Sequence, residues 1–175
     1  AALRNVALCD ASETHMKVTS VTPCACGSVL PGADFSDAYR VVVCASDLSA
    51  PLASEVIFQR SPVCVGQMGA LRDQICARLG LTSLIGCRPG LDGVHKSFGG
   101  MNVLSETPNE VLLGRDSGLF ACRVSIAVRF IDKQRRQVTI TTHIRNRNLL
   151  GRLWTATIAP FHRWIVPRML QSLTA

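Results

Sequence analysis

The C-terminal half of the chain alternates apolar and polar residues with the two-residue period of half-buried β-strands. Between Leu119 and Phe130 every second residue from Phe120 onward is apolar, and the segment Gln137 to Arg147 largely repeats the pattern. Two shorter runs, Met101 to Glu106 and Glu110 to Arg115, precede them and are separated by turn-forming residues. The sequence therefore predicts four consecutive antiparallel strands.

An earlier strand and two shorter helices are predicted in the N-terminal half. The valine-rich run Tyr39 to Cys44 is typical of a strand. Ser49 or Asp47 can cap a first helix, and Ser61-Pro62 opens a second helix that carries one apolar stripe. Glycines and polar residues then indicate a long loop between Gly86 and Gly100.

A long final helix is predicted from near Asn148 toward Leu173. A rotation of about 100° per residue places mostly large apolar residues on one face. We expect this face to pack against the sheet, because only the sheet offers enough surface to cover it. Its predicted members are Leu150, Leu153, Trp154, Thr157, Ile158, Phe161, Trp164 and Ile165.

These elements fit one α+β domain, which is an ordinary size for a chain of 175 residues. We predict a poorly ordered lead-in over residues 1–33, with a short edge strand around Lys17 to Val21, and a single domain over residues 34–175. Met16 leaves open whether the residues before it are native.

Positive charge is concentrated at the C-terminal end of the chain. From Ala1 to Phe120 there are nine basic and eleven acidic residues, whereas ten basic residues and only Asp132 follow. Such asymmetry can attract an anionic ligand, an acidic protein or a lipid headgroup. Nucleic acid is not expected, because the basic residues lack the interleaved aromatic residues of single-strand binders.

The eight cysteines do not form a recognisable metal or disulfide pattern. Only Cys24 and Cys26 are a close pair, and its role is left open. The first ten residues lack the charge and apolar run of a signal peptide, so we predict a cytoplasmic protein. No apolar run is long enough for a transmembrane segment. We predict neither a metal nor a cofactor.

Two segments near the C-terminus carry a resemblance to a known family. Asn146-Arg-Asn-Leu-Leu-Gly-Arg-Leu-Trp154 and Pro160-Phe-His-Arg-Trp-Ile-Val166 resemble an uncharacterised bacterial domain-of-unknown-function family, which also occurs as a C-terminal extension of short-chain-dehydrogenase-like proteins. The order of elements resembles the helix-grip fold of the START and polyketide-cyclase-like (SRPBCC) superfamily. That resemblance implies an antiparallel sheet wrapped around a long C-terminal helix, with a cavity between them.

Under that fold the candidate ligand-binding residues are those expected to line the space between sheet and helix. Arg145 and Arg152 form a separate candidate site for a carboxylate or phosphate. His162 and Arg72 are the candidates for catalysis, although a histidine at this position is more often a packed structural residue. The ligand-binding candidates are Arg72, Phe120, Cys122, Ile126, Thr142, Asn146, Trp154, Phe161 and His162.

Two functions remain open from the sequence. The first is a binding domain for a lipophilic small molecule, neutral or anionic, with or without cyclase or other proton-transfer activity. The alternative is a non-enzymatic interaction module whose basic C-terminal surface docks an acidic partner or a membrane surface. Neither the ligand nor any reaction is indicated, and a homodimer through an exposed sheet edge is left open.

Overall fold

The computed structural model describes residues 17–23, 29–60 and 96–174, together with positions 74, 77 and 78. Within these ranges the chain forms a seven-stranded antiparallel sheet, with a ten-residue helix and a 23-residue helix on one of its faces. The strands are β1 (Thr19–Val21), β2 (Phe35–Cys44), β3 (Ser97–Phe98), β4 (Met101–Glu106), β5 (Glu110–Asp116), β6 (Phe120–Phe130) and β7 (Arg135–Asn146); the helices are α1 (Ala50–Gln59) and α2 (Leu149–Gln171).

The strand order in the sheet is β1-β2-β7-β6-β5-β4-β3. Strands β4 to β7 follow one another as hairpins, while β2 inserts between β7 and the short edge strand β1. The register places Asp37 of β2 opposite Thr142 of β7, and Thr142 opposite Val124 of β6. Side chains alternate along each strand, so these three lie on one face, which we call the inner face.

The two helices divide the inner face between them. Helix α1 packs on β5 and β6, and α2 packs on β2 and β7. Ser49 caps α1 by accepting a hydrogen bond from the Leu52 amide, and the Ala50 amide donates to the carbonyl of Pro108, which fixes the helix to the β4–β5 turn. The core between the layers is mainly aliphatic, as the low aromatic content requires.

Helix α2 packs with a face that matches the predicted one only in part, since Ile165 is buried and Trp154 is partly buried against the core as predicted. Its buried residues are Gly151, Thr155, Ile165, Val166, Met169 and Leu170. Of the predicted face, Leu150, Leu153, Phe161 and Trp164 are 46–67% exposed. The physical reason lies at the start of the helix, where a Cβ on Gly151 would collide with the carbonyl oxygen of Leu119. At its start the helix approaches the sheet through the small residues Gly151 and Thr155, and the large residues Leu150 and Leu153 point away. Its last turns bury the larger side chains Ile165, Met169 and Leu170.

Most of the predicted elements are confirmed. The strands β4 to β7 agree with the predicted runs to within two residues, and β1 lies where an edge strand was expected. Strand β2 starts four residues earlier than predicted, at Phe35. Helices α1 and α2 begin after the predicted caps Ser49 and Asn148.

The detail of two shorter helices is not borne out. The second of them lies outside the described residues except for Gln74, Ala77 and Arg78, which are helical. The loop predicted from Gly86 to Gly100 also lies largely outside them; its last part contains β3 and the turn at Gly99 and Gly100, both with positive φ.

Candidate functional site

Three polar side chains meet on the inner face beneath α2. Asp37 comes from β2, Thr142 from the neighbouring strand β7, and His162 from α2. Asp37 and Thr142 are direct partners in the β2–β7 register, so the sheet itself brings them together. His162 lies on the side of α2 that faces the sheet, one turn before the buried residues Ile165 and Val166.

His162 links the other two residues in a hydrogen-bonded row. Its Nδ1 lies 2.8 Å from Oδ2 of Asp37, and its Nε2 lies 3.4 Å from Oγ1 of Thr142. In the neutral imidazole, Nδ1–H donates to the carboxylate and Nε2 accepts from the threonine hydroxyl. In the imidazolium both nitrogens donate. The row therefore accommodates both protonation states of His162.

The row is shielded from solvent, but one of its polar atoms has no hydrogen-bond partner in the described part of the chain. The side chains of His162 and Asp37 are only 19% and 12% exposed, and Thr142 is 2% exposed. Phe35 packs its ring edge-to-face against His162, with centroids 5.8 Å apart. Oδ1 of Asp37 is buried without a hydrogen-bond partner. A buried carboxylate oxygen without a donor is unfavourable, and such groups concentrate at functional sites.

Two neighbouring ionisable groups are held neutral. Burial, followed by the negative charge of Asp37, raises the pKa of Tyr39 above its ordinary value, and Arg163 offsets this in part. Burial raises the pKa of the Cys122 thiol to about 12, so Cys122 is a thiol at neutral pH. Asp37 is therefore not accompanied by a second negative charge from these groups.

An inward-facing arginine lies on the same face, three strands from Asp37. Arg115 of β5 is the register partner of Cys122, which pairs in turn with Ile144. Its Nε is buried and has no hydrogen-bond partner, like Oδ1 of Asp37. The two residues that precede it on the inner face of β5, Val111 and Leu113, are completely buried. The guanidinium therefore extends from an otherwise apolar part of the sheet.

Several residues predicted from the sequence lie at or beside this site. Thr142 and His162 belong to the row, and Cys122 is buried on the inner face between Arg115 and Ile144. Phe120 is buried at the start of β6, and Trp154 is partly buried against the core. Asn146 is engaged in other hydrogen bonds, because its Oδ1 accepts from the Thr155 hydroxyl and its backbone N–H donates to Asp34.

Other predicted residues lie elsewhere. Phe161, predicted as a wall of the cavity, is 54% exposed on the outer side of α2, because the helix face was assigned wrongly. Ile126 is completely enclosed by the core, and Arg72 lies outside the described residues. Arg152 lines an open surface groove of about 280 Å³ together with Asn146, Arg147, Asn148 and Leu149. Arg145 is not among the groove's lining residues and donates to the carbonyl of Pro31 instead.

Sequence reasoning missed Asp37, Tyr39 and Arg115 as members of the site. The signal was present at Asp37, since Phe35, Asp37, Tyr39, Val41 and Val43 alternate with residues of the opposite face. A strand beginning at Phe35 therefore places an acid within an apolar row. Arg115 was the last residue of a predicted strand, where an arginine ordinarily faces solvent.

The described residues lack both a metal-binding cluster and a membrane-spanning helix. They contain no group of three or more histidine, cysteine, aspartate or glutamate side chains that could hold a metal ion. Neither do they contain a helix with the length and apolar character needed to cross a membrane.

Comparisons with known proteins yield a family of unknown function and little else. Residues 29–169 match the family model described as "Protein of unknown function (DUF2867)". No curated protein matches the chain. A solved structure, described as a conserved protein from Geobacillus kaustophilus, is similar with 9% identity and a TM-score of 0.38, over 79% of this chain and 92% of that one.

Proposed function

We propose that this chain, which belongs to the protein family of unknown function DUF2867, binds a lipophilic small molecule between its sheet and α2. The observation that carries the proposal is the buried Asp37–His162–Thr142 row, in which one oxygen of Asp37 has no donor. A few polar groups that converge on an apolar surface are the usual means of orienting a small ligand. A hydroxyl or amine of the ligand would satisfy the free oxygen.

The same row gives the site the means of proton transfer. Asp37 accepts from Nδ1, so it orients the imidazole. Nε2 can then take a proton from an acidic C–H or O–H group of the ligand, once the Thr142 hydroxyl turns aside, and return it at another atom. Thr142 itself is too deeply buried to serve as a nucleophile. Cyclase-like or isomerising chemistry is the reaction class that fits.

The architecture is compatible with the helix-grip fold of START and polyketide-cyclase-like proteins, and we include that assignment in the proposal. What supports it is a long C-terminal helix on the inner face of a mostly meandering antiparallel sheet. Binding between sheet and helix is the mode that such a fold implies. A cytoplasmic location belongs to the same proposal.

The decisive experiment is native mass spectrometry of the protein purified from its own host. We expect a co-purifying small molecule on the wild-type chain and its loss from the double variant Asp37→Leu, His162→Phe. This variant replaces both polar partners with apolar residues of similar size, so no unpaired charge is left behind and the fold should persist. Displacement of Nile red, a neutral lipophilic dye, gives a second readout.

A matched control uses a second histidine, His143 of β7, which bonds to a residue of β2. Ser36 and His143 form a 2.8 Å hydrogen bond on the opposite sheet face. His143→Phe should leave the bound molecule and the dye affinity unchanged. An empty wild-type protein that also fails to bind Nile red, or a double variant that keeps the same molecule, would refute the proposal.

A second candidate is docking to an anionic membrane surface, and the exposed face of α2 favours it. Leu149, Leu153 and Trp164 are 79%, 67% and 49% exposed. The Arg168 guanidinium lies 3.7 Å from the centroid of the Trp164 ring, so cationic and apolar groups occupy the same face. A helix with this combination can lie in the headgroup region of anionic bilayers.

Co-sedimentation with vesicles tests this second candidate. We expect binding to phosphatidylglycerol vesicles, weak binding to phosphatidylcholine vesicles, and steep weakening between low and moderate salt. Leu153→Ser with Trp164→Ser should abolish sedimentation without affecting Nile red displacement from the inner site. Equal sedimentation with both lipids would reject the anionic surface, and no sedimentation would leave an acidic protein as the alternative partner.

A further inference from the structure

We propose that Arg115 binds an acidic group of the ligand, so that the molecule held between sheet and α2 is an amphipathic carboxylate or phosphate. This inference rests on the proposed small-molecule function and names its ligand class. It concerns a residue that the hydrogen-bonded row beneath α2 does not include.

One nitrogen of the Arg115 guanidinium, Nε, has no hydrogen-bond partner among the described residues. In the described part of the chain, Nε of Arg115 is buried and its N–H has no carbonyl or carboxylate oxygen to donate to. Asp116, its neighbour in sequence, belongs to the opposite sheet face and is engaged in two hydrogen bonds of 3.0 and 2.9 Å with Arg123. A buried guanidinium nitrogen without an acceptor is unfavourable, and an anion from outside would satisfy it.

The residue directly opposite Arg115 on β6 is uncharged. Cys122 lies directly opposite Arg115, and its thiol remains protonated because it is buried. The residues that follow in this register row, Ile144 and Phe35, are apolar. A positive group therefore faces an apolar surface that leads toward β2.

Among the described residues, the two buried side-chain atoms without a hydrogen-bond partner, Oδ1 of Asp37 and Nε of Arg115, lie on strands that are well separated in the sheet. Asp37 on β2 and Arg115 on β5 are separated by three strand intervals, or about 14 Å between backbones. A ligand with an acidic head at Arg115 and a donor at Asp37 would lie across Cys122 and Ile144. Gly100 lies beside the guanidinium, because a Cβ on Gly100 would be 3.6 Å from Nη1 of Arg115. The β3–β4 turn therefore borders the place where the acidic group of the ligand would bind.

Octanoate and octanamide are suitable probes, because they share a chain and differ in the charge of the head group. Each is used to displace Nile red from the wild-type protein at pH 8. We expect octanoate to bind at least about tenfold more tightly than octanamide, which is the usual gain from a hydrogen-bonded charge pair. Arg115→Gln should remove this preference and leave octanamide binding unchanged.

Arg123→Gln is the matched control on the outer face of the sheet and should keep the preference. It should also lower the thermal stability, because Arg123 is paired with Asp116, whereas Arg115→Gln should not destabilise the ligand-free protein. A destabilised Arg115→Gln would show a structural ion pair and overturn the inference.

Failure of the inference and failure of the proposed function are distinguishable. If Nile red binds and both probes displace it equally, the acidic-group assignment is wrong and the binding site stands. If Nile red does not bind at all and the protein carries no molecule from its host, both are wrong.

Discussion

The ion pair between Asp116 and Arg123 makes the free energy of unfolding depend on whether Asp116 is ionised. Arg123 is only 18% exposed and holds the carboxylate with two of its nitrogens. The hydrogen bond from Arg123 is the largest cause that lowers the pKa of Asp116, and the charges of Arg123 and Arg147 add to it. A carboxyl with a lowered pKa stabilises the folded state only while it is ionised.

The pH dependence of Arg123→Gln follows from this direction. We expect the substitution to cost about 0.5–1 kcal/mol at neutral pH, a modest value because the Asp116 side chain is 44% exposed. The difference from wild type should be complete above the ordinary carboxyl pKa of 3.8 and disappear as pH falls through the lower folded-state value. Urea unfolding at a series of pH values measures it; a difference that grows on acidification would contradict it.

The site illustrates which single residues a sequence reveals. His162 and Thr142 were identified because a histidine near an apolar helix face and a threonine in an inward register are visible as local patterns. Asp37 acquires its significance only from a neighbour that is distant in sequence, His162, which is 125 residues away. Long-range pairing of this kind is not readable from one sequence.

At the scale of elements, the first turns of α2 are held against the sheet by small residues. Gly151 lies at the third position of the helix, against the Leu119 carbonyl. We expect Gly151→Ala to destabilise the protein by about 1–3 kcal/mol, although alanine is the better helix former, because the backbone it meets cannot move aside. Gly114→Ala is the comparison, since its Cβ meets only the exposed Leu104 side chain and the end of the Arg123 side chain.

Chemical unfolding distinguishes the two glycines. The Gly114→Ala variant should stay within about 0.5 kcal/mol of wild type, because Leu104 can turn into solvent. Equal losses in both variants would mean that the close approach of α2 to Leu119 is not a constraint on the fold.

The face that α2 presents to the sheet can be tested with two leucines. Leu170 is completely buried, whereas Leu153 is 67% exposed. We expect Leu170→Ala to cost about 3 kcal/mol and Leu153→Ala less than about 0.5 kcal/mol, as measured by the midpoint of thermal or urea unfolding. A larger loss of stability in Leu153→Ala than in Leu170→Ala would show that α2 packs with the face predicted from the sequence.

The error in that face explains what sequence patterns resolve at this scale. The existence and ends of α2 were predictable from the Asn148 cap and the helical period. The packing face was not, because large apolar residues are assumed to be buried, and here the inner side begins with Gly151 and Thr155. Strands were easier, since their period of two allows only two faces.

At the scale of the whole molecule, β1 is one of the two edge strands of the sheet and the first described strand along the chain. β1 pairs with β2 through three residues, and Val18 packs partly against the core. A chain shortened to begin at residue 29, where the family match starts, should still fold, with a lower thermal midpoint than the full chain. Circular dichroism melting measures the change.

The shortened chain should also associate more readily, because it exposes the edge of the ten-residue strand β2. Gel filtration at several concentrations would detect this. A shortened chain that does not fold would show that residues 17–23 are an integral part of the domain, contrary to the predicted boundary at residue 34.

The junction between β7 and α2 determines where the imidazole of His162 points. Asn146, Arg147 and Asn148 are bonded there to Asp34, Leu119, Gly118 and Gly151, so the first turn of the helix cannot rotate about its own axis. Each residue advances a helix by about 100°, and the phase fixed at Asn148 is carried along to His162. One residue inserted between them would swing the imidazole away from Asp37 and bring Phe161 to its place, while four inserted residues, slightly more than a full turn, would return it close to the sheet.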